Sequence, residues 1–163
     1  MKRKFMEEKE RCMAEYNDMM REVEKQGELY QHTQKIEQAV RHNCEEIRRE
    51  NKAQKLFLLG CGDSYFGGLA VKHILDAVSD TLVLPMTALE FSQYGVHQVD
   101  AHSTVVAVSM SGNVARTIEG LTAAQSKGAY VVGITNSAAG KLYQMSKHPI
   151  LLGLEEEEGW TPG

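Results

Sequence analysis

Cysteine, proline and tryptophan are scarce in this sequence: 163 residues contain three cysteines, three prolines and one tryptophan. Cys12, Cys44 and Cys61 are odd in number and lack the paired spacing of a zinc site or a disulfide framework, so a reducing interior suits them. Long apolar runs are missing as well. Nothing approaches the roughly 18 residues that a membrane helix needs, and the basic start MKRKFMEEKERC has no apolar stretch behind it, so no signal peptide is expected and the location is read as cytoplasmic. Positive charge is in short supply, with 18 Lys and Arg against 22 Asp and Glu, a net charge of −4. Nucleic-acid and anionic-membrane partners rest on a basic face that this balance does not supply, although one local site can still hold a small anion. Among His32, His42, His73, His97, His102 and His148 there is no i, i+4 pair and no cysteine at ligand spacing, so no metal is expected.

What is present suits one folded domain. Apolar residues at 42% and charged residues at 25% are ordinary for a globular chain and exclude a disordered one. The character of the sequence changes near residue 53. Residues 1–53 hold 12 of the 18 basic groups, 12 of the 22 acidic groups and only Gly27 among the glycines, whereas residues 54–163 hold the other 13 glycines and all the prolines. The division is therefore an N-terminal helical extension, 1–53, and an α/β domain, 54–163. In the extension Cys12, Tyr16, Met19, Met20 and Val23 recur at helical spacing, and Leu29, Ile36, Val40, Cys44 and Ile47 continue the stripe beyond a break near Gln26 and Gly27. Glu45 with Arg48 and Arg49 reads as solvated surface, and the methionine-rich stripe as core or dimer interface.

From Lys55 onward short apolar runs alternate with helical patterns. The runs are Leu56–Leu59, Thr81–Leu84 before Pro85, Thr104–Val108, Tyr130–Ile134 and Pro149–Leu152. The helices follow at Leu69–Ala77, Ala88–Tyr94, Val114–Lys127 and Ala138–Met145. Runs that are continuously apolar fit strands covered on both faces, and their alternation with helices implies a doubly wound parallel sheet. Ligands in such sheets bind at the carboxyl ends of the strands, which directs attention to the loops after Leu59 and after Val108.

The first loop is Gly60-Cys61-Gly62-Asp63-Ser64-Tyr65, followed by Phe66-Gly67-Gly68. Its glycines allow a tight turn and close approach to a ligand, while Ser64 can cap the next helix or donate to an anion. A dinucleotide fingerprint would need glycine at position 65 and an acidic residue about 20 positions later; Tyr65 and Leu84-Pro85 stand there instead. No Gly-Lys-Ser or Gly-Lys-Thr occurs for a P-loop, and no cofactor is expected. The second loop, Ser109-Met110-Ser111-Gly112-Asn113-Val114, sets two hydroxyls and a glycine at a helix N-terminus, where unpaired amides can hold an anion without Lys or Arg. For each loop the plainer alternative is a serine that merely caps.

Together the two loops resemble the sugar isomerase (SIS) domain family. Leu58 through Tyr65 is similar to its first glycine-serine loop, Val108 through Gly112 to its Ser-x-Ser-Gly phosphate loop, and Glu90-Phe91 to the Glu-Phe of its double-domain members. Those members include the isomerase half of glucosamine-fructose-6-phosphate aminotransferase and the fructosamine-phosphate deglycases. Met20 through Gln26 is also similar to their helical lead-in. The resemblance implies a flavodoxin-like, five-stranded parallel sheet that binds phosphorylated sugars, with Gly62, Asp63, Ser64, Ser109, Met110, Ser111, Gly112, Asn113 and Val114 around the ligand. Members often continue the loop as Ser-Gly-Glu-Thr, where this chain has Asn113 and Val114, and valine cannot donate the hydroxyl bond. Binding should then be weaker, or the ligand different.

Aldose-ketose isomerisation requires a base to move a proton between adjacent carbons. Glu90, His97 and His102 qualify by type, but in double-domain relatives such groups come largely from the second domain or a neighbouring subunit, so the catalytic residues of this chain are left unassigned. The ending Leu154 through Gly163, with four glutamates and Trp160, reads as a solvated tail or as the interrupted middle of something longer. Two functions remain open: a phosphosugar isomerase or deglycase, whole or half, and a non-catalytic sugar-phosphate sensor. A homodimer is expected in either case.

Overall fold

The computed structural model describes residues 2–50 and 53–154; the acidic ending beyond Leu154 lies outside the described residues. The chain falls into two compact units, 1–37 and 38–163. The first unit contains α1 (Lys2–Glu24) and the opening turns of α2 (Gln26–Glu50). The helices break at Lys25, where the amide of Glu28 turns back to the Lys25 carbonyl at 3.0 Å. Met13, Tyr16, Met19 and Val23 of α1 are exposed.

The second unit is a parallel sheet with helices on both faces. Its elements in order are β1 (Lys55–Gly60), α3 (Asp63–Val78), β2 (Leu82–Thr87), α4 (Ala88–Gln93), a 3₁₀ turn at Gly95–Gln98, β3 (Ser103–Val108), α5 (Ala115–Ser126), β4 (Tyr130–Thr135), α6 (Lys141–Met145) and β5 (Ile150–Leu151). The five strands run in the order β2-β1-β3-β4-β5, all parallel. From β1 the chain steps outward to β2, then returns across β1 to build the rest, so the order reverses between β1 and β3. Helices leaving those two strands depart to opposite faces, and a crevice opens at their carboxyl ends.

Side chains alternate across a strand, and the two faces of this sheet are unequally covered. Phe57 and Leu59 of β1, Val105 and Ala107 of β3 and Val131 of β4 bury against Phe91 of α4, Leu121 and Ala124 of α5 and Leu142 of α6. Phe57 meets Phe91 edge to face with ring centroids 5.4 Å apart. On the other face Leu56 and Leu58 are only half-buried. There α3 comes close because Gly68 lacks a side chain: a Cβ at that position would lie 3.3 Å from the Leu58 Cβ. Cover on this second face is uneven, since Val83 and Val132 are buried there while Leu56 and Leu58 are not fully so.

Three boundaries differ from the sequence reading. Helix α3 begins at Asp63, well before Leu69. Strand β2 continues through Pro85, paired in register with Leu58. Proline removes one ladder donor, which is tolerated because β2 is an edge strand. Helix α6 starts at Lys141, not Ala138, because residues 137–140 form a turn closed by the Gly140 amide on the Ser137 carbonyl.

Side chains far apart in sequence tie down the amino ends of the strands. Lys55 pairs with Asp100 at 2.6 Å and donates to the Gln98 carbonyl at 2.8 Å. Bonds from Lys55, from the Ser103 hydroxyl and from the His102 amide hold the Asp100 carboxyl down at about 2. Glu50, at the end of α2, is met by Lys147 at 2.8 Å, the Tyr130 hydroxyl at 2.8 Å and His148 at 3.3 Å. Earlier on the same helix, Asn43 donates to the Pro149 carbonyl at 2.8 Å.

The Glu50 carboxyl is lowered from 4.5 to about 2, first by Lys147 and then by Tyr130. A lowered carboxylate stabilises the fold above its unfolded value and loses that contribution as pH falls through its folded value. Hydrogen-exchange protection of the last turns of α2, corrected for intrinsic rates, should therefore be full above about pH 4.5 and fall toward about pH 2. Glu50→Gln should lower this protection at neutral pH and flatten its acid dependence; an unchanged acid profile in the variant would remove Glu50 as the tether.

Candidate functional site

The first loop is shaped by close packing. Strand β1 ends at Gly60, and α3 begins three residues later directly over it. A Cβ on Gly60 would lie 2.5 Å from the carbonyl carbon of Ser64 and from the amide nitrogen of Tyr65, so no larger residue fits without moving the helix. The N-cap of α3 is Gly62, not Ser64, and no side chain caps it. Ser64 sits inside the first turn. Two amides of that turn are engaged: Ser64 donates to the Cys61 carbonyl at 3.2 Å, and Tyr65 to the Gly62 carbonyl at 3.0 Å. Asp63 places a carboxylate at this positive helix end, where it complements the helix dipole.

The second loop has the opposite character. Its backbone is bolted to the neighbouring strand while its helix end is left open. The Ser109 amide donates to the Ile134 carbonyl at 3.0 Å. The Met110 carbonyl accepts from the Asn136 amide and from the Thr135 hydroxyl, each at 3.0 Å. The Gly112 amide reaches the Ser109 carbonyl at 3.1 Å, and the Gly112 carbonyl accepts from the Leu142 amide at 2.9 Å. Asn113 braces the loop from within. Its side chain donates to the Ser111 carbonyl at 3.0 Å and accepts from the Lys141 amide at 3.2 Å.

Helix α5 then starts after Val114, which gives no side-chain cap, and no acidic residue lies in its first turn. The first bond within the helix is from the Ile118 amide to the Val114 carbonyl at 3.1 Å, which leaves the preceding amides without an intrahelical acceptor. Beside this open end Ser109 is 5% exposed, and its hydroxyl has no hydrogen-bond partner; Thr117, 1% exposed, is in the same condition. Ser111 is exposed, and its hydroxyl accepts from the Asn113 amide at 3.3 Å. Neither loop uses a serine to cap its helix directly, although Ser111 braces the turn before α5. Unpaired amides at a helix N-terminus are, as a general rule, favourable places for an anion such as phosphate, sulfate or carboxylate.

Because β1 and β3 are adjacent, with Leu59 in register with Ala107, both loops emerge at the same edge of the sheet. Glu90 lies at that edge too, exposed in the first turn of α4 just after β2, with its amide accepted by the Thr87 hydroxyl at 3.1 Å. His102 does not: it immediately precedes β3, at the amino end. His97 is likewise placed near that end, beside Gln98, whose carbonyl accepts from Lys55 at the start of β1. Of the three residues suited by type to act as a base, only Glu90 shares the rim with the serine loops. Thr117 and Thr135 were not singled out by the sequence, although Thr117 sits three residues beyond Val114, on the first turn of a helix already suspected of holding an anion.

A doubly wound parallel sheet with an open serine-rich helix end at its switch point defines a class of small-anion-binding α/β domains. Within that class the chain belongs to the SIS domain family, whose sequence pattern matches residues 51–161. Among curated proteins it is similar to a glutamine–fructose-6-phosphate aminotransferase (isomerizing) of Bacteroides thetaiotaomicron, 34% identical over 85 residues, covering 52% of this chain and 14% of that protein. The chain thus spans about one-seventh of the length of this relative. Among solved structures it resembles a Clostridium difficile 630 protein described as a candidate phosphosugar isomerase, with a TM-score of 0.69 at 20% identity, covering 80% of this chain and 37% of that one. It also resembles an Escherichia coli CFT073 protein solved as a ligand complex, with a TM-score of 0.68 at 14% identity, covering 86% and 76% of the two chains. These structural likenesses establish the shared fold.

Gly112 is the hinge of the second loop. Its φ is +66°, and a Cβ there would lie 2.8 Å from the Thr135 hydroxyl oxygen and 3.2 Å from the Gly140 Cα. Gly112→Ala should destabilise the domain by about 1–3 kcal/mol through strain and overpacking, read as a lowered urea midpoint with an unchanged slope. A midpoint equal to that of the parent would mean that the loop is not held as described.

Proposed function

We propose that this chain is the phosphosugar-binding domain of a sugar-phosphate isomerase or a fructosamine-phosphate deglycase. The observation that carries the reading is the buried, unpartnered hydroxyl of Ser109 beside the uncapped N-terminus of α5. A phosphomonoester placed there would accept from Ser109, Ser111 and the amides of α5's first turn, while Met110, Gly112, Asn113 and Val114 shape the loop around it. Gly62, Asp63 and Ser64, at the adjacent strand end, would face the sugar. Kinship with isomerising aminotransferases supports a ligand in this class.

Moving a proton between the carbonyl carbon and its neighbour needs a base close to both. We assign that base to a residue outside this chain, supplied by a second domain or a neighbouring subunit, because Glu90, the one base candidate that shares the rim, is exposed and no hydrogen bond among the described residues orients its carboxylate. The working form is proposed to be a homodimer in the cytoplasm. Supporting a protein partner, α3 turns Phe66, Val71, Ile74 and Val78 outward at 62%, 45%, 65% and 75% exposure, an apolar stripe at helical spacing of the kind that marks interfaces.

Two measurements test these proposals. Glucose 6-phosphate, fructose 6-phosphate or glucosamine 6-phosphate should raise the melting temperature of the chain by mass action, and the shift should vanish in Ser109→Ala/Ser111→Ala; equal shifts in the two proteins would place binding elsewhere. Sedimentation equilibrium should return twice the chain mass, and Ile74→Asp should shift it toward the monomer. A monomeric parent would end the homodimer proposal.

A further inference from the structure

We propose that Arg116 is a phosphate ligand held in reserve: its ion pair with Glu119 opens when a phosphomonoester dianion settles at the N-terminus of α5, and the guanidinium turns onto the ligand. This inference rests on the reading that the second loop holds the phosphate, and it adds a charged group to a site otherwise built from hydroxyls and amides.

The argument starts from a charge in an unfavourable place. A helix N-terminus carries partial positive charge, so first turns favour Asp and Glu. Three other helices of this chain conform, with Glu28 in α2, Asp63 in α3 and Glu90 in α4, while α1 and α6 do not. In α5 the first turn has no acidic residue and no side-chain cap, and Arg116 is its second residue. Dipole and guanidinium there repel each other and together favour an anion. The unpartnered hydroxyl of Ser109, 5% exposed, marks the same place independently as one that lacks an acceptor.

Geometry permits the switch. Side chains on a helix leave their Cα tilted toward the N-terminus, so Arg116 starts out directed at the open end. Its guanidinium instead folds back along the helix to Glu119, at 2.7 Å, with the two side chains 55% and 48% exposed. An exposed i, i+3 pair of this kind holds weakly. A phosphate dianion offers the guanidinium a bidentate, doubly charged partner that a single carboxylate does not match. Val114 supplies the reason for such a group: it cannot donate a hydroxyl bond to the ligand, and Arg116 lies two residues further on the same turn.

The test is isothermal titration of the full chain with inorganic phosphate and with fructose 6-phosphate, on the parent, Arg116→Gln, Glu119→Gln, Lys141→Gln and Ser111→Ala. Lys141 is the control cation, since its amide contacts Asn113 of the same loop. Arg116→Gln should weaken both ligands by about tenfold, the worth of one charge-assisted hydrogen bond, with the melting temperature of the free protein unchanged. Glu119→Gln should tighten both by a few-fold because the competing carboxylate is gone, and Lys141→Gln should leave them unaltered. If Arg116→Gln binds like the parent while Ser111→Ala loses affinity, Arg116 is idle and the phosphate reading survives. If Lys141→Gln alone weakens binding, the cation has been misassigned. If the parent binds neither ligand, the phosphate reading and this inference fall together.

Discussion

A hydroxyl taken out of water and given no hydrogen-bond partner costs on the order of 1–3 kcal/mol. Ser109 carries such a hydroxyl at the end of a central strand, beside a helix whose first amides are also unpaired. The molecule does not relax to satisfy it, because the segment around it is fixed from both sides. Strand β4 holds the Ser109 amide and the Met110 carbonyl, and the start of α6 holds the carbonyl of Gly112. The proposed site follows from that constraint: a loop held from both sides leaves donors unmet, and an anion is the partner we propose for them.

The sheet supplies the second element, position. Reversal of strand order between β1 and β3 brings two loops to one edge that lie some fifty residues apart in the chain. They differ in build: the first is pressed onto its strand through Gly60, and the second leads into a helix whose first amides have no intrahelical acceptor. Arg116 and Glu119 add a charged pair at the mouth, while the ionic ties through Asp100 and Glu50 secure the opposite end of the sheet, away from the site.

Much of the fold was legible because strands of a parallel sheet with helices on both faces read as unbroken apolar runs, and such runs at residues 56–59, 104–108 and 130–134 stand out between glycines. The boundaries that went astray depended on tertiary context. Pro85 looked like a stop until β2 proved to be an edge strand, and residues 138–140 looked helical until Gly140 closed a turn. That the two glycine- and serine-rich loops meet at one edge was legible, because loops that follow adjacent parallel strands emerge together. Individual roles were not. Ser64 was a candidate cap from its position alone, but Gly62 occupies that place. The seclusion of Ser109 and Thr117, the separation of His102 from the site, and a network joining Glu50 to Tyr130 across 80 residues arise only when the chain has folded.

The most direct test of the account is an amide chemical-shift map of the chain titrated with fructose 6-phosphate, recorded with salt held constant. Saturable shifts should be largest for the amides of residues 109–117, with a smaller group at residues 62–64 and none around Glu50 and Asp100. Saturation with those amides unmoved, and the shifts gathered elsewhere on the domain, would contradict the claim that the open end of α5 is where this protein takes its ligand.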